Sequence, residues 1–235
     1  MQRHMIRKPS AALYGSSKAA ILCAQHRGDS VPKLFHDLAA DRGSEDTRKL
    51  FHTFKQAITI TWAFIGLPHC IPACLGLVNE MRDRGITIGA GLDRPSLEEA
   101  DWLKEGEQTK QAIYRAVGNS EVGEMMGQYF PEISYVATTA VFGFLIGGSA
   151  HVQSLPFSEI TLAGAIAAMG ATRQARSHFK GAMGLGVSVS AVQAVLDVVR
   201  KIAAWNLVEL PGEIDVLALA AEVRTNLHAL GKAPE

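Results

Sequence analysis

This 235-residue chain has few cysteines and no excess of either charge, and each of these two features excludes a class of protein. The chain has three cysteines, an odd number that does not form a disulfide framework and that favours a reducing, intracellular compartment. It has no surplus of either charge, because Lys plus Arg and Asp plus Glu both total 23. No basic stripe stands out, so the electrostatic footprint of a nucleic-acid binder is missing and we expect no nucleic-acid partner.

The chain also lacks an unbroken apolar run long enough for a membrane span, which takes about 20 consecutive apolar residues. Residues 56–79 and 133–158 are uncharged, but glycine and proline interrupt both runs. We therefore predict buried helices there and no membrane partner. Helices that are apolar nearly all round belong to the centre of a bundle or to a subunit interface, so we also expect a homo-oligomer.

Acidic residues are absent from residues 1–28, which contain five lysines and arginines. This composition weakly resembles a mitochondrial transit peptide. A secretory signal is excluded because Lys18 interrupts the only apolar stretch. We interpret residues 1–43 as an irregular arm that packs on the body or on a partner subunit, and we expect a cytoplasmic protein, with mitochondria as the alternative.

What the chain does have is helical patterning, with 48% hydrophobic residues. Acids that follow Ser44, a capping box at Ser96 and Glu99, and prolines at positions 131 and 156 mark helix starts. We predict a single all-α fold of about eight to ten helices. Its main helical domain covers residues 44–205, and residues 206–235 form a C-terminal helix and tail.

A helix, glycine, helix pattern occurs twice. A shift of 104 residues superposes residues 59–76 on residues 163–180. The shift pairs Lys55 with Glu159, Gly66 with Gly170, Cys70 with Gln174 and Cys74 with His178. We interpret this as a diverged internal duplication that makes two related helical hairpin units, at about 50–85 and 157–204.

Glu159 and His178 are the candidate catalytic residues. Glu159 lies on the edge of an apolar helix and His178 lies within the next helix, so the two side chains meet if the helices fold back on each other. An imidazole titrates near neutrality, and a carboxylate orients it or raises its basicity. Gln174 lies one turn before His178, on the same helix face, and is a candidate for substrate binding.

The spacing of these residues resembles the carboxymuconolactone decarboxylase and alkylhydroperoxidase D-like superfamily. Its peroxidase signature has a Glu, a Cys twelve positions on, a second Cys three further and a His four beyond that. The corresponding residues here are Glu159, Ala171, Gln174 and His178. The likeness covers about residues 157–204 well and residues 50–85 weakly, and the first half is loosely similar to fungal members.

The resemblance implies an alkylhydroperoxidase D-like helical bundle that forms a trimer or hexamer, or a dimer. Thiol peroxidase chemistry needs two thiols, and both signature cysteines are missing. The carboxylate and imidazole that remain are the acid/base residues of the decarboxylases in the superfamily. The resemblance therefore implies a decarboxylase, lyase or isomerase that needs no cofactor and acts on a small oxo-acid, lactone or phenolic metabolite. A non-catalytic ligand-binding or assembly subunit is the alternative.

Cys70 and Cys74 support a further alternative, a thiol-dependent antioxidant protein. We interpret them as two buried thiols that are candidates, with Gln174, for contact with the substrate. A redox pair is usually spaced by two residues rather than three. The spacing of His69, Cys70 and Cys74 is poor for zinc and no fourth ligand is obvious, so we predict no metal.

Overall fold

The structure is a computed structural model that describes residues 11–118 and 121–231. These residues form eleven α-helices and no strand, which confirms the predicted all-α fold with one helix more than the upper expectation. The helices are α1 (Ala11–Ala24), α2 (Val31–Ala39), α3 (Ser44–Ile65), α4 (Leu67–Asp83), α5 (Trp102–Tyr114), α6 (Glu121–Tyr129), α7 (Pro131–Val136), α8 (Leu155–Ala168), α9 (Thr172–Gly184), α10 (Val189–Trp205) and α11 (Val216–Leu230). A π-helix (Ala137–Ile146) continues α7.

Helix α8 is the centre of the bundle. Every residue from Ser158 to Ala168 is buried, because α1, α3, α9 and α10 pack around it. Its small side chains allow this close packing: a Cβ added at Gly164 would lie 2.8 Å from Val195. Glu159 is therefore the one charged residue in a helix surrounded by protein.

Helix α1 is a core element, which corrects the expectation of an irregular arm over residues 1–43. Residues 19–24 are buried, and the Ser17 and Thr161 hydroxyls share a 2.8 Å hydrogen bond that joins α1 to α8. A side chain of Gln25 also donates to the backbone carbonyl of Ala168. Residues 1–10 lie outside the described residues. Cleavage of residues 1–28 as a targeting peptide would remove α1 from the core.

The π-helix lies against α5 at very short range. A Cβ added at Gly106 would lie 1.9 Å from the Thr138 carbonyl oxygen, and one at Gly143 would lie 2.0 Å from that of Trp102. Only glycine fits at such contacts. The predicted helix start at Pro131 is confirmed, but the π form was not predicted from the sequence. Wider helical turns of this kind are rare and occur frequently at functional sites.

One of the two side-chain hydrogen bonds of the predicted capping box is present, but it does not begin a helix. The Ser96 N–H donates to Glu99 Oε2 at 2.6 Å, within a turn that precedes α5. Asp101 is the residue that caps α5, because its side chain accepts from the Lys104 N–H at 3.0 Å. The C-terminal helix expected within residues 206–235 is α11.

Among the described helices, no single one has both the length and the apolar character that crossing a bilayer requires. One pair meets those criteria only when α6 is joined to residues 131–149, and the two segments are bent by 119°.

Candidate active site

Glu159 and His178 meet inside the bundle, as the sequence predicted. The His178 Nδ1–H donates to Glu159 Oε1 at 2.7 Å, and both side chains are buried. Gly170, with a φ of 76°, reverses the chain between α8 and α9 and so brings the two residues together. Because Nδ1 is engaged by Glu159, the other ring nitrogen, Nε2, is the atom available for proton transfer.

Glu159 depends on this one contact. Its second oxygen, Oε2, is buried and has no hydrogen-bond partner among the described residues. A Cβ added at Gly181, three residues after His178, would lie 3.0 Å from Glu159 Oε1 and 2.9 Å from the Ile113 carbonyl oxygen. Glycine at this position therefore leaves the space through which the carboxylate reaches the imidazole.

Aromatic rings fix the plane of the His178 imidazole. The ring centroid of Tyr114 lies 5.9 Å from that of His178, and the centroid of Phe64 lies 6.1 Å away, both with their edges towards it. Phe142 of the π-helix packs on Tyr114 at 5.9 Å. The imidazole is thus held by a carboxylate on one side and by aromatic rings on others, an arrangement that limits its rotation.

His178 opens onto a cavity of about 520 Å³ between α5, α6, the π-helix and α9. Its apolar wall includes Tyr114, Val122, Met126 and Phe142. This volume lies in the range of pockets that hold small organic ligands. The cavity therefore offers space for a substrate directly beside the imidazole.

Two cations and one acid also line the cavity. Lys110 Nζ donates to Thr138 Oγ1 at 3.1 Å and lies over the Phe142 ring, with its centroid 5.9 Å away. Arg173 forms a 3.0 Å ion pair with Glu121, and both side chains are exposed. Glu124 is the acid. Lys110 is therefore the cation placed to bind an anionic group beside His178.

Tyr114 is a neutral hydrogen-bond donor at this site. Burial raises the pKa of its phenol above the ordinary value of 10.0, and the negative charge of Glu159 adds to that shift. The phenol stays protonated at neutral pH, so its O–H remains able to donate to a developing oxyanion.

Gln174 lines the same cavity as His178, as expected from their spacing of four residues in α9. Cys70 and Cys74 do not line it. The interpretation of both as buried thiols is wrong for Cys74, which is exposed, whereas Cys70 is buried. The reason is the face of α4: Cys70 shares the inward stripe with Ala73 and Leu77, at positions i, i+3 and i+7.

A different thiol approaches Cys70. A hydrogen bond from the Cys23 thiol of α1 lowers the pKa of Cys70, although burial opposes the shift. The same contact with Cys70 raises the pKa of Cys23, and burial raises it further. The pair that the structure brings together is therefore Cys23 and Cys70. Among the described residues, no three His, Cys, Asp or Glu side chains converge in a way that could hold a metal ion.

Three residues of the site were not found from the sequence: Lys110, Tyr114 and Gly181. Lys110 and Tyr114 lie four apart on α5, so their shared face was visible in the helical pattern. The pattern of a polar surface helix gave no reason to separate this face from an ordinary core contact. Gly181 carries no local signal, because the atoms that require it belong to α5 and α8.

Comparisons with known proteins identify no relative: no family model, curated protein or solved structure matches this chain.

Proposed function

We propose that this chain is an acid/base enzyme that needs no cofactor, a decarboxylase, lyase or isomerase acting on a small oxo-acid, lactone or phenolic metabolite. The observation that supports this proposal is the buried Glu159–His178 pair at the wall of a cavity of about 520 Å³. A purely structural ion pair has no need of an open space beside its imidazole.

In this proposal His178 transfers the proton through Nε2, and Glu159 is its positioning residue. The carboxylate holds Nδ1–H, selects the tautomer and stabilises the imidazolium that forms. In a decarboxylation, the bond to the carboxylate carbon breaks and its electron pair moves into a conjugated carbonyl group of the substrate. Carbon dioxide leaves, and the imidazolium delivers its proton to the carbon that remains.

Tyr114 and Lys110 take the negative charge of the reaction. The neutral phenol of Tyr114 donates to the enolate oxygen that develops as the electron pair moves. Lys110 binds an anionic group of the substrate, with Thr138 holding its ammonium in the cavity. Gln174 hydrogen bonds to a substrate oxygen one turn from His178.

The resemblance to the carboxymuconolactone decarboxylase and alkylhydroperoxidase D-like superfamily supports the same assignment. It is carried by the positions of Glu159 and His178 and by the helix, glycine, helix unit around Gly170. We propose the corresponding bundle type for this chain on these features. A cytoplasmic location is part of the same proposal.

A substrate screen with matched histidine variants tests the function. Purified protein is incubated with a panel of small oxo-acids, lactones and phenolic acids, and carbon dioxide release, absorbance and melting temperature are followed. On the substrate found, His178→Gln should lower kcat by about 10²–10⁴-fold, the usual contribution of a general acid/base group. Glutamine keeps a donor for Glu159, so the melting temperature should change little.

The control is His151→Gln, which alters an exposed histidine outside the cavity and should keep full activity. Equal activity of wild type and His178→Gln would show that His178 is not a catalytic residue. Ligands that raise the melting temperature without any turnover would instead identify a ligand-binding subunit.

A thiol-dependent antioxidant function is the second candidate, because the Cys23 thiol lowers the pKa of Cys70 and so favours its reactive thiolate. Peroxide consumption with a dithiol reductant is its assay. Cys70→Ser should abolish that activity and Cys74→Ser should keep it, since the Cys23 thiol donates its hydrogen bond to Cys70.

A further inference from the structure

The helices α6 and α7 form an arm, residues 121–136, that has no buried residue. Helix α6 packs mainly on α7, and the exposed ion pair of Glu121 with Arg173 links it to α9. Large apolar side chains nevertheless lie along the arm and at its bend. They include Val122, Met125, Tyr129, Phe130, Ile133 and Val136, which are between 38% and 66% exposed.

These six side chains leave on the order of 500 Å² of apolar surface in solvent. This area is comparable to the largest apolar patch on a typical monomer, about 300–600 Å², and such patches often serve in binding. A standard protein interface covers about 800 Å² per partner, and homodimer interfaces are about 65% apolar, which is about 520 Å². The arm therefore carries the apolar area that one subunit contributes to a stable contact between copies.

The charge of the segment favours a protein partner over a membrane. No lysine or arginine occurs between Arg115 and Arg173, and the arm contains three glutamates. Helices that lie in a membrane surface are rich in basic residues, which bind anionic lipid headgroups. A second copy of the chain offers what the arm needs, because self-association through the same apolar patch requires no opposite charge.

The arm is also the outer wall of the cavity. Val122 and Met126 line the cavity beside Tyr114 and His178, while Met125 and Tyr129 continue from Val122 at positions i+3 and i+7 of the same helix. A partner that covers this stripe therefore also covers the side of the cavity that α6 leaves open to solvent.

We propose that the α6–α7 arm is the contact surface between copies of this chain and that the neighbouring copy covers the outer wall of the cavity. The proposal is independent of catalysis, because it rests on the exposed apolar surface and its charge. It assigns a specific surface to the homo-oligomer expected from the sequence.

Sedimentation velocity of the full chain over a wide concentration range tests the proposal. The wild type should sediment as an oligomer, and Tyr129→Ser with Ile133→Ser should raise the dissociation constant on the order of 100-fold, as loss of central apolar contacts does. The matched control is Leu92→Ser with Leu217→Ser, which removes two exposed leucines, 66% and 73% exposed, outside the arm. The control should remain oligomeric.

Hydrogen exchange of the wild type gives a second readout that needs no variant. Amides of residues 121–129 should lose protection when the protein is diluted below its dissociation constant, and amides of α8 should not. A wild type that stays monomeric, or a control pair that dissociates as easily as the arm pair, would overturn the proposal. Flotation of the wild type, but not of the arm variant, with phosphatidylcholine vesicles would assign the arm to a membrane instead.

Discussion

The hairpins α3–α4 and α8–α9 have the same outline and different surroundings. Each has a long apolar helix that ends at a glycine with positive φ, 95° at Gly66 and 76° at Gly170, followed by a second helix. In α8–α9 the acid pairs with the histidine inside the hairpin at 2.7 Å. In α3–α4 the residue at the position of the acid, Lys55, leaves the hairpin and forms a 2.7 Å ion pair with Asp93.

The difference shows that the acid/base pair depends on burial of the hairpin and not on the helix, glycine, helix pattern alone. Helix α8 is enclosed by four helices, so the Glu159 side chain is shielded from water and its charge interacts with few neighbouring groups. Helix α4 lies at the edge of the bundle, where the residue that the 104-residue shift aligns with His178 is an exposed cysteine, Cys74. One hairpin thus holds the candidate catalytic pair, and the other places the aligned positions at the surface.

Removal of the charge at the two equivalent positions should give the largest contrast. Glu159→Gln should lower kcat by about 10–100-fold, because the carboxylate no longer stabilises the imidazolium. Lys55→Gln, the matched change in the other hairpin, should leave kcat unchanged.

The measurement is kcat from pH 5 to 9 for both variants on the substrate found in the screen. Equal losses in the two variants would show that the hairpins do not differ in function. An unfolded Glu159→Gln protein, seen by circular dichroism, would make the pair a structural contact.

The two turn glycines should differ less, and in stability rather than activity. Alanine at either position meets the cost of a positive φ, on the order of 1–3 kcal/mol. At Gly170 the added Cβ would also lie 2.9 Å from the Pro211 side chain, whereas at Gly66 its nearest atom is 3.7 Å away. Gly170→Ala should therefore lower the free energy of unfolding, measured in urea, by more than Gly66→Ala does. The reverse order would show that the turn of α3–α4 is the more constrained one.

The thiols should give the smallest effect. Cys23→Ala removes the hydrogen bond that lowers the pKa of Cys70, so that pKa should rise and the increase of the Cys70 alkylation rate with pH should move to higher pH. Mass spectrometry of peptides after iodoacetamide treatment measures this for each cysteine separately. Cys74, the exposed thiol, should react first in both proteins. A Cys70 profile that does not move would exclude Cys23 as its partner.

Much of the fold could be predicted from the sequence, because a helix is specified by residues that are close together in the chain. Pro131 and Pro156 mark the starts of their helices, Gly66 and Gly170 mark turns, and the stretch after Glu159 lacks the charges of a surface helix. The capping box at Ser96 predicted the start of α5 a few residues too early, because its hydrogen bond closes a turn as readily as it begins a helix.

The sequence by itself determined an all-α chain and the spacing that lets Glu159 and His178 meet, since a helical repeat and a glycine turn fix both within one hairpin. Only the tertiary structure decided that α1 belongs to the core, that Cys70 pairs with Cys23, and that Tyr114 and Lys110 share a cavity with His178. These contacts join residues far apart in the chain. Local spacing carries no information about them, because the packing of α1 and α5 around the hairpin sets which side chains become neighbours.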